Sequence, residues 1–274
     1  MSGKRQSILV AFILASISAA VVASDDPVRV SVTRLVAKIQ RADYEGDRAA
    51  LKRLYEELAP FVENKGLAVR IRYWRGFALW RRATNGFNDS ADPKELEQDL
   101  KLALDEFSDA IAKEPGFVDA KVGMVSCLSN LIYLNQKDPM RVQELIAQSS
   151  PLVQEAKATA ADNPRLLWVL GPILWNTPPE RGGGQAKAIE MLEKGLEASR
   201  KQIASASDPL EPSWGEPELL MGLAWSNLNR TTPDLKAAER YARSALELIP
   251  YWHYVRDLLM PQIRAARAKQ NRNI

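Results

Sequence analysis

Three features of the sequence predict an all-α protein. Ala, Leu, Glu, Lys and Arg dominate most windows, while alternating runs of β-branched residues are nearly missing. Leu100 to Pro115, LKLALDEFSDAIAKEP, places Ala103, Phe107 and Ala110 on one face of a helix that Pro115 ends. The same spacing recurs at Ala238, Ala242, Ala245 and Pro250. Small residues at such positions let a second helix approach closely, and a proline-closed helix of fixed length then starts the next hairpin, which is the mark of a repeat array. The expected architecture is an α-solenoid of about five helical hairpins plus a C-terminal capping helix.

The chain in order supports that count. Lys4 and Arg5 precede an uncharged run, Ile8 to Val22, and Val21-Val22-Ala23 supplies compact residues ahead of a cut, so residues 1–23 read as a secretory signal peptide cleaved after Ala23. The run is shorter than the roughly 20 residues a spanning helix needs, and no cysteine stands at the expected cut for lipid attachment. The expected location is periplasmic or secreted, with residues 24–274 forming the helical repeat domain. Asp26-Pro27 caps and starts a helix to about Arg41; Gly46-Asp47 precedes a second, Arg48 to Leu58, ending at Pro60. Val69 to Ala83, VRIRYWRGFALWRRA, sets Gly76 between large aromatics, where a partner helix can come close. Asp92, Pro93 and Glu95 form a capping box for that partner.

Phe117 to Leu134 is the next apolar-periodic helix, and Asp138-Pro139 opens one running past Ala156 that Pro151 kinks or divides. Pro164 to Trp175 follows, then the irregular NTPPERGGG of 176–184 and a helix from Gln185 to Ile203. The Pro-rich loop ASDPLEPSWG of 206–215 leads to Pro217 to Asn229, with Thr232-Pro233 opening its partner through Leu248. Tyr251 to about Lys269 has no partner, ends basic, and reads as a solvating cap.

These pairs resemble tetratricopeptide repeats. Met221-Gly222 with Trp225 fits the first half of the family's pattern, and Ala103, Phe107, Ala110, Pro115 and Ala238, Ala242, Ala245, Pro250 fit the second; the match is good over about 69–121 and 214–259 and weak elsewhere. Successive units are longer than the roughly 34 residues of the regular repeat, so an irregular superhelix is expected. The triple glycine and the Trp214-Gly215 step are also similar to exported bacterial members, including the helical components associated with TRAP transporters.

Composition excludes several functions. With 46% hydrophobic and 26% charged residues the chain can bury a core. Without Lys4 and Arg5 the 37 basic residues become 35 against 34 acidic, a net charge of +1, which gives no support for nucleic-acid binding. Cys127 is the sole cysteine, in a helical apolar context, and reads as a core residue. His253 is the sole histidine, so a Ser-His-Asp triad or a zinc cluster has no partners; no catalytic residue, metal ligand or cofactor is assigned. The glycines 182–184 lack the Lys-Ser/Thr of a phosphate-binding loop.

The most suggestive surface is Val69 to Arg82, with Arg70, Arg72, Arg75, Arg81 and Arg82 and no acidic residue. The resemblance implies that the first helix of each pair lines the concave groove; by spacing, Arg70, Tyr73, Phe77 and Trp80, with Arg81, face it, joined by Arg165, Trp168 and Trp175. Arginine beside aromatic rings suits peptide or carboxylate recognition, whereas the competing reading packs these rings into the core. The leading expectation is a non-enzymatic, exported scaffold that grips a protein or peptide partner; the alternative is a small-ligand carrier or TRAP-transporter accessory. A sealed aromatic cavity favours the carrier and an open groove favours the scaffold.

Overall fold

Asp or Asn followed by proline starts four of the helices, and the reason is visible at each start. In a computed structural model that describes residues 26–203 and 208–272, the side chain of Asp26 accepts from Val28 N–H at 3.0 Å, Asp92 from Lys94 at 2.9 Å and Asp138 from Arg141 at 3.1 Å, while Asn163 accepts from Arg165 and Leu166. Each cap satisfies donors that the first helical turn leaves free, and the proline that follows has no N–H to satisfy. The described residues form α1 (Pro27–Glu45), α2 (Arg48–Glu57), α3 (Ala68–Asn88), α4 (Pro93–Lys113), α5 (Val118–Leu134), α6 (Pro139–Ala160), α7 (Pro164–Asn176), α8 (Gln185–Ile203), α9 (Glu216–Asn229), α10 (Leu235–Leu248) and α11 (Met260–Arg272). Consecutive helices pair into five hairpins, and no strand occurs among the described residues. The signal-peptide reading of 1–23 lies outside the described residues, and none of the described helices is long and apolar enough to cross a membrane.

Several boundaries differ from the sequence expectation. The first helix runs past Arg41 to Glu45, where Gly46 at φ 73° supplies the left-handed cap. Helix α3 continues to Asn88. Helix α6 is one helix, with Pro151 inside it. Helix α10 is capped by Asp234, whose carboxylate accepts from Ala237 N–H at 2.9 Å, instead of opening at Thr232-Pro233. The capping box at α4 is half made, because Glu95 turns away to Arg48 and Arg82. The C-terminal segment is a π-helical stretch, Tyr254–Leu259, before α11.

The repeat positions do the packing expected of them. The ring of Phe107 on α4 sits between Gly76 of α3 and Gly123 of α5; a Cβ would lie 2.9 Å from the ring at Gly76 and 2.5 Å at Gly123. Ala103 and Ala110 beside it, and Ala238, Ala242 and Ala245 on α10, are fully buried. Cys127 is buried on α5, and that burial pushes its thiol well above the usual range.

The superhelix curls far enough for its two ends to meet. Tyr44 at the end of α1 packs edge-on against Trp252, ring centroids 5.0 Å apart, and donates its hydroxyl to Glu218 of α9 at 2.7 Å. Arg41 lies 4.7 Å from the Tyr251 ring centre, and the His253 ring packs against Gly46. The capping segment thus has a partner after all, the first hairpin.

Candidate functional site

Helices α3, α5, α7 and α9, the first members of hairpins two to five, share the inner face. The N-terminal half of that face is filled by the protein's own loop. Leu210 is fully buried and Trp214 nearly so, in one apolar cluster with Tyr73, Phe77 and Trp80 of α3. The loop's polar groups are held as firmly: Trp74 Nε1 donates to the Leu210 carbonyl at 2.8 Å, Trp214 Nε1 to the Tyr73 hydroxyl at 2.8 Å, and Arg165 Nη1 to the Trp214 carbonyl at 3.0 Å. Arg70 Nε pairs with Glu211 at 2.7 Å and Arg29 with Asp208 at 2.6 Å.

The rest of the inner face is a trough of about 520 Å³, within the usual range of small-molecule sites. Helix α3 contributes Arg81, Thr84, Asn85, Phe87 and Asn88; α5 contributes Asn130 and Tyr133. Trp168, Pro172 and Trp175 of α7 form the facing wall, and Met221, Gly222, Trp225 and Ser226 of α9 close it, with Trp252 and Tyr254 from the C-terminal segment and Leu192 of α8. Two aromatic pairs bridge neighbouring helices at the rim: Phe87 with Tyr133, 5.7 Å between centroids, and Trp175 with Trp225, 5.1 Å, both edge-on. Such edge-on pairs are favourable geometries that hold the rings in place.

The trough is aromatic and carries one charged residue, Arg81, and no carboxylate. Arg81 is 4% exposed, and its Nε donates to Asp43 of α1 at 2.8 Å. Asn85 Nδ2 also donates to that carboxylate, at 3.1 Å. Beside them Glu218 is buried, and burial pushes its carboxyl above the usual range. The described residues contain no group of three or more His, Cys, Asp or Glu disposed to hold a metal, and His253 pairs with Asp257 at 2.9 Å away from the trough lining.

The sequence-derived candidates therefore divide. Trp168 and Trp175 line the trough, and Arg81 is at its floor. Tyr73, Phe77 and Trp80 face inward, but the 208–215 loop covers them, leaving them 0%, 2% and 1% exposed. Arg70 is spent on Glu114 and Glu211, and Arg165 on Asp119 of α5 and the loop carbonyl. The arginine stripe of α3 faces an acidic stripe of α4: Arg72 and Arg75 pair with Glu106, and Arg82 with Glu95 and Asp99. Sequence reasoning missed Trp225, Tyr254, Tyr133, Phe87 and Met221 as trough residues. The signal for Trp225 was present, since Met221, Gly222 and Trp225 occupy repeat positions; aligned on the glycine, their counterparts on α7 are Leu170, Gly171 and Leu174, with Trp175 one residue further on.

Two solved structures share this architecture. The HusA haemophore from Porphyromonas gingivalis aligns over 75% of this chain and 95% of its own, with TM-score 0.58 and 21% sequence identity. A thermophilic TPR protein from Thermus thermophilus aligns over 88% of this chain and 99% of its own, with TM-score 0.50 and 17% identity. No protein-family profile and no characterised protein sequence matches the chain. The fold is a tetratricopeptide-like helical repeat.

Proposed function

We propose that this tetratricopeptide-like chain is a non-enzymatic carrier that holds a flat, largely apolar small molecule in its aromatic trough. One observation carries the reading: the part of the inner face left open is a hollow of about 520 Å³ walled by Trp168, Trp175, Trp225, Tyr133, Phe87 and Tyr254. Indole and phenol rings on rigid helices give a plate-shaped ligand large contact area at small entropic cost, and the trough is confined to the part of the inner face that the 208–215 loop does not fill. Export through a cleaved signal peptide is part of the proposal and accords with a carrier's work outside the cytoplasm.

Hemin is the first probe, because one structural neighbour is a haemophore. The trough lining has no His or Cys; Met221, Tyr133 and Tyr254 are the side chains on it able to meet an iron. Titration of the purified chain with hemin and with iron-free protoporphyrin, followed by absorbance and tryptophan quenching, is expected to saturate at one equivalent. Absence of saturable binding by hemin, protoporphyrin and simple fused-ring aromatics alike would refute the carrier.

The scaffold reading keeps one specific support, the apolar side chains exposed on the third hairpin: Tyr133 at 62%, Met140 at 76% and Ile146 at 48%. These form a surface on which a protein partner, such as a membrane receptor or a TRAP-type transporter component, can dock. Crosslinking from Met140 and Ile146 positions in the cell envelope separates this role from ligand capture.

A further inference from the structure

Resting on the carrier reading, we infer that the ligand presents an uncharged hydrogen-bond acceptor, a ketone or quinone-type oxygen on a flat ring system, to Nη1 of Arg81. Arg81 belongs to the trough lining, is almost wholly buried, and its Nη1 has no hydrogen-bond partner. A buried guanidinium N–H left unpaired is costly, so a ligand oxygen that reaches it gains more than the same contact on a wet surface. Nη1 is itself buried, and the Phe77, Trp80 and Trp168 rings flank the guanidinium at 6.0, 5.5 and 5.8 Å from their centres; of the three only Trp168, half-buried, lines the trough, so a ligand oxygen that reaches Nη1 does so by shifting that ring.

Charge decides between a carboxylate and a neutral oxygen. The positive charge of Arg81 is already met by Asp43, and Glu218, raised by burial, is the other acid beside it. The other polar groups on the lining, Thr84, Asn85, Asn88, Asn130 and Ser226, are neutral, and no lysine joins them. An added anion would sit in this low-dielectric floor without a free counter-charge, which is unfavourable. A neutral carbonyl takes the open donor without that cost.

Calorimetric titration of the full chain with 2-acetylnaphthalene, 2-ethylnaphthalene and 2-naphthoate tests this, followed by a crystal structure of the ketone complex. The ketone is expected to bind at least about tenfold more tightly than the hydrocarbon and than the carboxylate, with its oxygen within about 3.2 Å of Arg81 Nη1. Equal affinity of ketone and hydrocarbon, preference for 2-naphthoate, or an oxygen seated elsewhere overturns the inference while leaving the carrier standing. Failure of all three compounds to bind overturns the inference, and the same failure by hemin and protoporphyrin overturns the carrier reading with it.

Discussion

Replacing Leu210 by alanine asks whether the 208–215 loop belongs to the folded core or merely lies over it. The side chain is fully buried against α3, in the cluster that holds Tyr73, Phe77 and Trp80. The substitution leaves the Leu210 carbonyl available to Trp74 Nε1, so it isolates the apolar contact from the hydrogen bond. Removing a buried leucine side chain costs about 2–5 kcal/mol, the lost transfer energy plus that of the cavity. Taking about 3 kcal/mol and about 2–4 °C per kcal/mol for a chain of this size gives a fall in melting temperature of about 6–12 °C. Thermal unfolding followed by circular dichroism reads it directly, with Glu211→Gln as the comparison. That second change removes the Arg70–Glu211 pair, whose acidic partner is 46% exposed, and such pairs contribute only about 0–1 kcal/mol. A Leu210→Ala protein melting within about 2 °C of the parent, by the same conversion, would refute the claim that the loop fills the inner face.

Gly123→Ala should lower stability by about 1–2 kcal/mol in urea titration, because the new Cβ would meet three atoms of the Phe107 ring, and overpacking of that kind outweighs the helix propensity alanine adds. A stabilised variant would show that α4 and α5 have room to part. Glu218→Gln addresses the buried acid. Since its folded-state carboxyl is raised, mainly by burial, the native state holds the proton more tightly than the unfolded chain, and stability falls as pH rises from the unfolded value through the raised one. The glutamine variant retains an acceptor for Tyr44, so it should match the parent at pH 4 and melt at a higher temperature at pH 8. An unchanged difference across that range would mean that Glu218 does not titrate between the two states.

Much of this was legible locally. Periodic apolar residues, Asp-Pro starts and the two proline-closed sets of small residues are short-range signals, and they gave the helices, the hairpins and the close contact at Gly76. What escaped depends on distant residues. Leu210 and Trp214 sit in a Pro-rich stretch that composition marks as a linker, and the groups they bond, Trp74 and Tyr73, lie far away in sequence. Nothing in local periodicity says that a linker returns to cover an inner face. Three of the α3 arginines were misleading for a related reason, since they pair with acids on the next helix. Arg72, Arg75 and Arg82 share one face, and so do Glu95, Asp99 and Glu106 of α4, so the complementarity could be read once the two helices were paired. Trp168 and Trp175 line the trough because the 208–215 loop, whose Trp214 packs edge-on against Trp168, leaves their side of the inner face unfilled.

The carrier stands or falls on its two bridging indoles. Replacing Trp175 and Trp225 together by alanine removes the rim pair but leaves the buried cluster around Trp80 intact. Hemin affinity, measured by absorbance titration beside a melting curve, should drop at least tenfold, the scale for losing aromatic anchors at a binding site, while the protein remains folded. Undiminished affinity in a folded double variant would contradict the assignment of the trough as the place where the ligand sits.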